Sequence, residues 1–434
     1  MKNISAAHFI GIGGIGVSSV ARMFLLQGKQ VSGSDLSVSK ITTELEKLGA
    51  RISQGHGAKN IPENTELIVY TIAISNNNSE FLEAKKRGLP VLSYPELLGL
   101  ISKDKYTIAV SGTHGKTTTT AMIAKILLDA QLDPTVIVGS FLLDEKSNFI
   151  AGNSDYFIVE ACEYKRSFLN IHPKIIVITN IDNDHLDYYK DINDIQSAFR
   201  EFVQKLPKDG TVVCNPADPL IYPVIEHTKA KIVDYTSYPK AELSVPGAHN
   251  LLNAQAAQAV GDIIGVTKDK TLLALSEFKG TWRRFEYKGE MQNGALVYDD
   301  YGHHPTEISA TLSAARAMFP NKKLVVIFQP HLYSRTKILL PQFVESLRVA
   351  DEVFLAPIYA AREKFDPAIS SNTLAKLLSD ENIPAAAFTD QNLMVQRIKK
   401  EFSDKNSLIL TIGAGDIYKI GELLLSATRE EKTF

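Results

Sequence analysis

Cysteine is nearly absent: the chain of 434 residues holds two, Cys162 and Cys214. Two thiols do not make a disulfide framework, so a reducing, cytoplasmic compartment is expected. Long hydrophobic runs are missing too, which argues against a transmembrane helix or membrane insertion. An excess of either charge is also missing. Lys and Arg total 47 against 49 Asp and Glu, a net charge of −2, so the basic footprint of a nucleic-acid binder is lacking. Tandem repeats and low-complexity tracts are missing as well. Only the N-terminus resembles a targeting segment. There the apolar stretch Ala6–Ile10 runs into glycines at 11, 13, 14 and 16 and polar Ser18, Ser19 and Arg22, and it reads as a buried first strand.

What is present is the balance of a globular protein, with 44% hydrophobic and 22% charged residues. At roughly 100–200 residues per domain, two to four domains are expected. Short apolar strands alternate with helical periodicity. His8–Ile10, Gln30–Ser34, Leu67–Thr71 and Pro90–Leu92 read as strands, with a helix over Val17–Leu26. The pattern restarts at Tyr106–Val110, followed by a loop, a helix Thr118–Ala130, strands Phe157–Val159 and Lys174–Thr179, and an amphipathic helix Asp191–Leu206. It restarts again after Gly280-Thr281-Trp282, with strands Ala295–Tyr298, Lys323–Phe328, Glu352–Ala356 and Ser407–Ile412. Such alternation predicts an α/β protein with parallel sheets, divided near 103 and 282.

Two glycine loops stand out. Gly11-Ile12-Gly13-Gly14-Ile15-Gly16 fits G-x-G-x-x-G between a strand and a helix, and Asp35 lies where a ribose-binding acid is expected. The loop indicates a diphosphate without saying which one; alone it would suggest a dehydrogenase. The second is Ser111-Gly112-Thr113-His114-Gly115-Lys116-Thr117-Thr118, a phosphate-binding loop with Val110 where the full motif has its first glycine. Backbone amides there cradle phosphate, Lys116 neutralises it, and the Thr117 hydroxyl can reach Mg²⁺. A chain with both loops spends ATP on a substrate that itself carries a diphosphate. An oxidoreductase with an accessory ATPase domain, or a UDP-sugar sensor without catalysis, explains fewer of these residues.

Seven blocks, in order, resemble the Mur ligases, ATP-dependent amide-forming enzymes of peptidoglycan precursor synthesis. They are Gly112–Thr118, Glu160-Ala161-Cys162-Glu163, Thr179–Asp187, Pro246–Ala254, Arg283-Arg284-Phe285-Glu286, Asp299–Glu307 and Phe328–Thr336. The first glycine loop is similar to that of the alanine-adding branch. Thr71-Ile72-Ala73-Ile74 departs from the Ser-Ser-Ala-Ile expected of the family, and Val17-Ser18-Ser19 from a Met-Ser-Gly-like run.

The resemblance implies three domains: a Rossmann-like domain over 1–103 for the UDP substrate, a central P-loop ATPase-like domain with a parallel or mixed sheet over 104–282, and a Rossmann-like C-terminal domain over 283–434 that closes on ATP and binds the amino acid. It implies UDP-N-acetylmuramate, L-alanine and ATP as substrates, Mg²⁺ (or Mn²⁺) as the metal, and a monomer or weak homodimer. A sister activity, adding a recycled peptide to the same nucleotide, is the alternative, since sequence does not fix the size of the amine pocket.

Residue by residue, the resemblance assigns Gly11, Gly13, Gly14, Ile15, Gly16, Asp35 and His56 to the UDP substrate. ATP receives Gly112, Thr113, His114, Gly115, Lys116, Thr117, Thr118, His249, Asn250, Asn253 and Arg284. Catalysis falls to Lys116, His185, Arg284 and Asp300, and the amino acid to Tyr301, His303, His331 and Arg335. Thr117, Glu160 and His185 are the implied metal ligands, His185 being unusual for Mg²⁺. Glu163 reads as a site residue or as a solvated loop acid, Arg283 equally as a surface charge, and His304 before Pro305 as structural. Gly413-Ala414-Gly415-Asp416 is a further strand-end loop. Sister enzymes carry a carbamylated lysine on the helix after the metal histidine. Here that helix has Ala198, Phe199 and Arg200 at its centre and only Lys205 near its end, so lysine carbamylation is not expected.

Overall fold

The computed structural model describes residues 4–361 and 363–426. Its eighteen strands form three sheets. The first holds β1 Ala6–Ile10, β2 Gln30–Asp35, β3 Arg51–Gln54, β4 Leu67–Tyr70 and β5 Val91–Ser93 in the order β3-β2-β1-β4-β5, all parallel. The second holds β6 Tyr106–Ser111, β7 Thr135–Leu142, β8 Ser147–Ile150, β9 Tyr156–Glu160, β10 Ile175–Ile178, β11 Thr211–Cys214 and β12 Lys231–Asp234. Their order is β12-β11-β10-β6-β9-β7-β8, with only β8 antiparallel to its neighbour. The third holds β13 Glu286–Glu290, β14 Leu296–Asp300, β15 Lys323–Phe328, β16 Glu352–Leu355, β17 Ala385–Ala387 and β18 Ser407–Ile412. Its order is β13-β14-β18-β15-β16-β17, and only the edge strand β13 is antiparallel.

Central strands such as β10, Ile-Ile-Val-Ile, are buried throughout, as expected where helices cover both faces of a parallel sheet. Helices start at sequence-readable caps. Ser93 and Glu96 form a capping box with Pro95 in the first turn, and the Asp191 carboxylate accepts the Asp194 N–H at 3.0 Å. Each such cap is worth about 1 kcal/mol. The helix Ile192–Val203 buries Phe199 and Phe202 against Phe168, with ring centroids 5.2 and 4.4 Å apart. Truncating one of these rings to Ala should cost about 3–5 kcal/mol.

Several strands escape the apolar pattern. β12 is half exposed, β13 reads Glu-Tyr-Lys-Gly-Glu, and β17 is three alanines. They sit at sheet edges, where a strand needs backbone pairing more than an apolar run.

The chain divides into two compact units, 1–242 with 252–279, and 243–251 with 280–434. The first unit carries two sheets, tied together by polar contacts as well as apolar packing. Asn148 of β8 is fully buried and donates to the Ile15 carbonyl and to Ser18 Oγ in the helix Ile15–Leu26. The Ser102 hydroxyl accepts the His172 N–H at 3.0 Å.

Candidate active site

In the first unit, the loop after β1 turns on Gly11, whose φ is +77° and whose missing Cβ leaves room for Thr71. Asp35, at the end of β2, accepts the Gly13 N–H at 2.9 Å, so this carboxylate shapes the loop as well as flanking it. Gly14, Ile15 and Gly16 lead into the helix Ile15–Leu26, whose N-terminus points positive charge at the loop. His56 lies just past β3 and bonds through Nδ1 to Ser34 Oγ at 2.9 Å.

The second loop follows β6 and runs into the helix Lys116–Asp129. Gly112 has φ +132°, and a Cβ there would collide with Thr179 Oγ1 and stand 3.0 Å from the Asn180 carbonyl. Residues after β10 hold the loop in place. The His114 N–H donates to Asn180 Oδ1 at 2.9 Å, and the His114 carbonyl accepts from Thr179 Oγ1 at 2.6 Å and Asn180 Nδ2 at 3.0 Å. The His114 ring stands 3.1 Å from Asp182. Lys116 Nζ donates to the carbonyls of Gly112 and Thr113 and to Glu163 Oε1 at 3.1 Å. Burial alone would lower the lysine's pKa, but the negative charge around it, chiefly Glu163, raises it above the ordinary value.

Glu163, left open by sequence, is not a solvated loop acid but is buried against the loop lysine. It is 2% exposed, its Oε1 lies 3.7 Å from His185 Nε2, and its Oε2 is buried without a hydrogen-bond partner. Glu160 stands at the end of β9 and accepts the Gly139 N–H at 2.8 Å. Two carboxylates flank His185 Nε2, Glu163 at 3.7 Å and Asp184 at 3.9 Å, while Glu160 is held from β7. His185 itself adopts φ +55° and packs on the Tyr164 ring, centroids 4.7 Å apart. Thr117 and Thr118 sit buried in the first turn of the loop helix. Asn253 packs on that helix, accepting from Thr119 Oγ1 at 3.1 Å. The signal for Glu163 was its place in the loop after an apolar strand beside the phosphate loop, shared with Glu160.

In the second unit, Asp300 closes β14 and accepts the Phe285 N–H at 2.8 Å and the Gly302 N–H at 2.7 Å. Arg283 is 2% exposed, which corrects its reading as a surface charge. Its Nε donates to Asp299 Oδ2 at 2.7 Å, and its other nitrogens reach the carbonyls of Gly413 and Gly415. Arg284 lies over the Tyr301 ring, 5.2 Å from its centroid. Burial, helped by Arg284, lowers the pKa of His249, and Asn250 donates to the Pro246 carbonyl at 2.6 Å. His303 and His331 pack at 5.6 Å, and Arg335 reaches His331 Nδ1 at 3.0 Å. Gln329, part of the Phe328–Thr336 block but given no role from sequence, donates to Asp416 at 3.1 Å in the Gly413–Asp416 loop. His304 accepts the Thr306 N–H as the cap of the helix Pro305–Met318, as its place before Pro305 suggested.

Burial pushes the Asp300 carboxyl from an ordinary 3.8 up to about 6, against the opposing pull of Arg284 and the two N–H donors. A raised carboxylate contributes stability at low pH and loses it as pH rises through the folded value. Unfolding by urea should show the wild type losing stability relative to Asp300→Asn between about pH 4 and 6.5. A constant difference between the two proteins across that window would refute the shift.

The chemistry of the first unit is that of an anion site at a helix N-terminus, completed by a lysine, buried carboxylates and a histidine at strand ends. Comparison with known proteins gives the family. The chain matches the family model "Mur ligase family, catalytic domain" over 6–106, the Mur ligase middle domain over 110–242, and the glutamate ligase domain of Mur ligases over 283–415. It is 43% identical to UDP-N-acetylmuramate–L-alanine ligase of Clostridium kluyveri, with 96% of this chain and 97% of that protein covered. It is 42% identical to the enzyme of that name from Caldanaerobacter subterraneus, with 99% of each covered. The crystal structure of UDP-N-acetylmuramate-alanine ligase from Thermotoga maritima superposes with a TM-score of 0.82 at 30% identity, covering 96% of this chain and 98% of that one. A murein peptide ligase from Psychrobacter arcticus, 24% identical with a TM-score of 0.74, shares the fold. The chain belongs to the Mur ligase family.

Proposed function

We propose that the chain joins the carboxylate of UDP-N-acetylmuramate to the amine of L-alanine at the expense of ATP, a step in peptidoglycan precursor synthesis. The observation that carries this is the phosphate loop whose lysine is held by buried Glu163 beside His185. The named full-length relatives supply the substrates.

A carboxylate is a poor electrophile and must be activated. The muramyl carboxylate takes the γ-phosphoryl group of ATP, ADP leaves, and the alanine amine displaces phosphate from the acyl phosphate. Lys116 and the loop amides of Gly112–Thr118 hold the transferring phosphate, and Arg284 adds charge stabilisation. Asp300 holds the Phe285 and Gly302 amides and so fixes the peptide that carries Arg284. His249, Asn250 and Asn253 are assigned to the nucleotide of ATP. Tyr301, His303, His331 and Arg335 are assigned to alanine, whose carboxylate needs a cation such as Arg335.

Thr117, Glu160 and His185 remain the proposed metal ligands; to them we add Glu163 beside His185, whose orphaned Oε2 is a buried acceptor of the kind a cation satisfies. Such an ion would neutralise phosphate charge. We propose no carbamylated lysine for this donor set, since the helix Ile192–Val203 itself carries no lysine. Lys205→Ala should keep wild-type turnover, and added bicarbonate should leave the rate unchanged; activity lost on that substitution would contradict this.

Each sheet corresponds to one proposed domain, with divisions near 103 and 282. Among the described residues no helix is long and apolar enough to cross a membrane. We assign the chain to the cytoplasm as a monomer or weak homodimer.

Asp35→Ala should raise the KM for the UDP substrate about tenfold, since both a loop anchor and an acceptor are lost, with the KM for ATP little changed. A matching rise for ATP would mean that the two loops are assigned backwards. The function itself is tested by phosphate release from ATP with UDP-N-acetylmuramate and a panel of amines. Release should require both the nucleotide sugar and L-alanine; a preference for a tripeptide, or release with neither, would overturn it.

A further inference from the structure

Beneath the first glycine loop lies a polar network that the ligation chemistry does not use. Glu80, in the first turn of the helix Ser79–Lys86, is 0% exposed. Its Oε1 accepts the Gly57 N–H at 3.1 Å and Asn60 Nδ2 at 2.6 Å, and its Oε2 accepts the Ser34 hydroxyl at 2.5 Å. His8 Nε2 stands 3.6 Å away on the far side. Burial would raise the carboxyl, but His8 and these hydrogen bonds outweigh it and hold it at about 2, so the group is an anion at any working pH.

The proton count then has one solution. An ionised carboxylate only accepts, and a serine hydroxyl owns one hydrogen. Ser34 gives that hydrogen to Glu80, so at its 2.9 Å contact with His56 Nδ1 it must accept. His56 therefore carries a proton on Nδ1, and the neutral ring has its lone pair on Nε2. The His56 side chain is 15% exposed, and it stands past the end of β3, beside the end of β2 and its Asp35. That edge is the ligand crevice of such a sheet. Leu36 and Val38, 72% and 68% exposed, follow Asp35 in the chain.

We propose that Glu80, acting through the Ser34 hydroxyl, fixes the His56 proton on Nδ1 and makes Nε2 an acceptor for a nucleobase N–H, so that the relay selects uracil over cytosine. Uracil presents N–H at N3, whereas cytosine presents a lone pair there, which would face the lone pair of Nε2. Glu80 and Ser34 are positioning residues, and His56 reads the base. The inference rests on the assignment of this domain to a UDP substrate.

The test has two readouts that do not need turnover. Nitrogen-correlated proton NMR of the full chain at about pH 8, with His56 identified by His56→Gln, should show Nδ1–H in the wild type. Glu80→Gln and Ser34→Ala should shift it toward Nε2–H. Calorimetric titration with UMP and CMP should give a preference for UMP of about tenfold or more in the wild type, falling below about threefold in both variants. Binding of a non-hydrolysable ATP analogue should stay unchanged, showing that the variants are folded. An Nε2–H tautomer in the wild type, a preference kept in both variants, or no binding of either nucleotide would overturn the relay. A wild type that binds UMP selectively without ligating alanine would leave the relay standing and sink the proposed function.

Discussion

Lys116→Ala should abolish turnover while the UDP substrate still binds. The side chain rests on the Gly112 and Thr113 carbonyls and on Glu163, within reach of any phosphate held by the loop amides. Its charge acts on the phosphoryl group as negative charge moves from the γ-phosphate to ADP. Removing such a charge in a water-poor site costs about 3 kcal/mol or more, roughly 10²-fold or more in kcat. Lys116→Arg should not rescue it, because a forked guanidinium does not fit the tight seat between two carbonyls and a carboxylate. The first glycine loop lies on another sheet, so calorimetry should find UDP-substrate affinity within about twofold of wild type. Wild-type kcat, or equal loss of both ligands, would remove Lys116 from the chemistry.

The second large effect is on stability. Arg283 and Asp299 form an ion pair that is 2% and 0% exposed, with the Thr411 hydroxyl donating to the other carboxylate oxygen. Burial pushes Asp299 up even with Arg283 beside it, a sign of how dry the site is. Arg283→Met strips the carboxylate of its cation and the Gly413 and Gly415 carbonyls of their donors. Breaking a buried pair from one side costs about 3–5 kcal/mol. The double variant Arg283→Met with Asp299→Asn should recover part of that, since no lone charge remains buried. Denaturant unfolding checks both. A single variant within about 1 kcal/mol of wild type would mean that the pair is not what holds this strand end.

The elements that sequence revealed are those whose physics is local. Continuous apolar runs such as Ile175–Ile178 and Leu324–Phe328 read as buried strands, and the glycine loops advertise backbone that must approach an anion. Edge strands such as Glu286–Glu290 and Ala385–Ala387 were not visible, because their pairing depends on neighbours far along the chain. The same distinction separates the site residues. Lys116 is announced by the glycines around it. Glu163 and Arg283 read ambiguously because a charged side chain looks alike in water and in a buried pair; only the fold brings Lys116 to the one and Asp299 to the other. Glu80 had no signal at all. Its partners Ser34, His56 and Asn60 come from three separate segments, and its burial exists only after β1, β2 and β3 have paired.

Activation of a carboxylate by ATP leaves an atomic record, and reading it is the most direct check on the reaction assigned to this chain. UDP-N-acetylmuramate labelled with ¹⁸O in its lactyl carboxylate should be incubated with ATP, Mg²⁺ and L-alanine, and the products weighed by mass spectrometry. The carboxylate oxygen that takes the phosphoryl group leaves with it when the amine attacks. One ¹⁸O should therefore appear in inorganic phosphate for each UDP-N-acetylmuramoyl-L-alanine formed, and one should remain in the new amide. Unlabelled phosphate, or labelled phosphate without alanine in the product, would contradict the assignment.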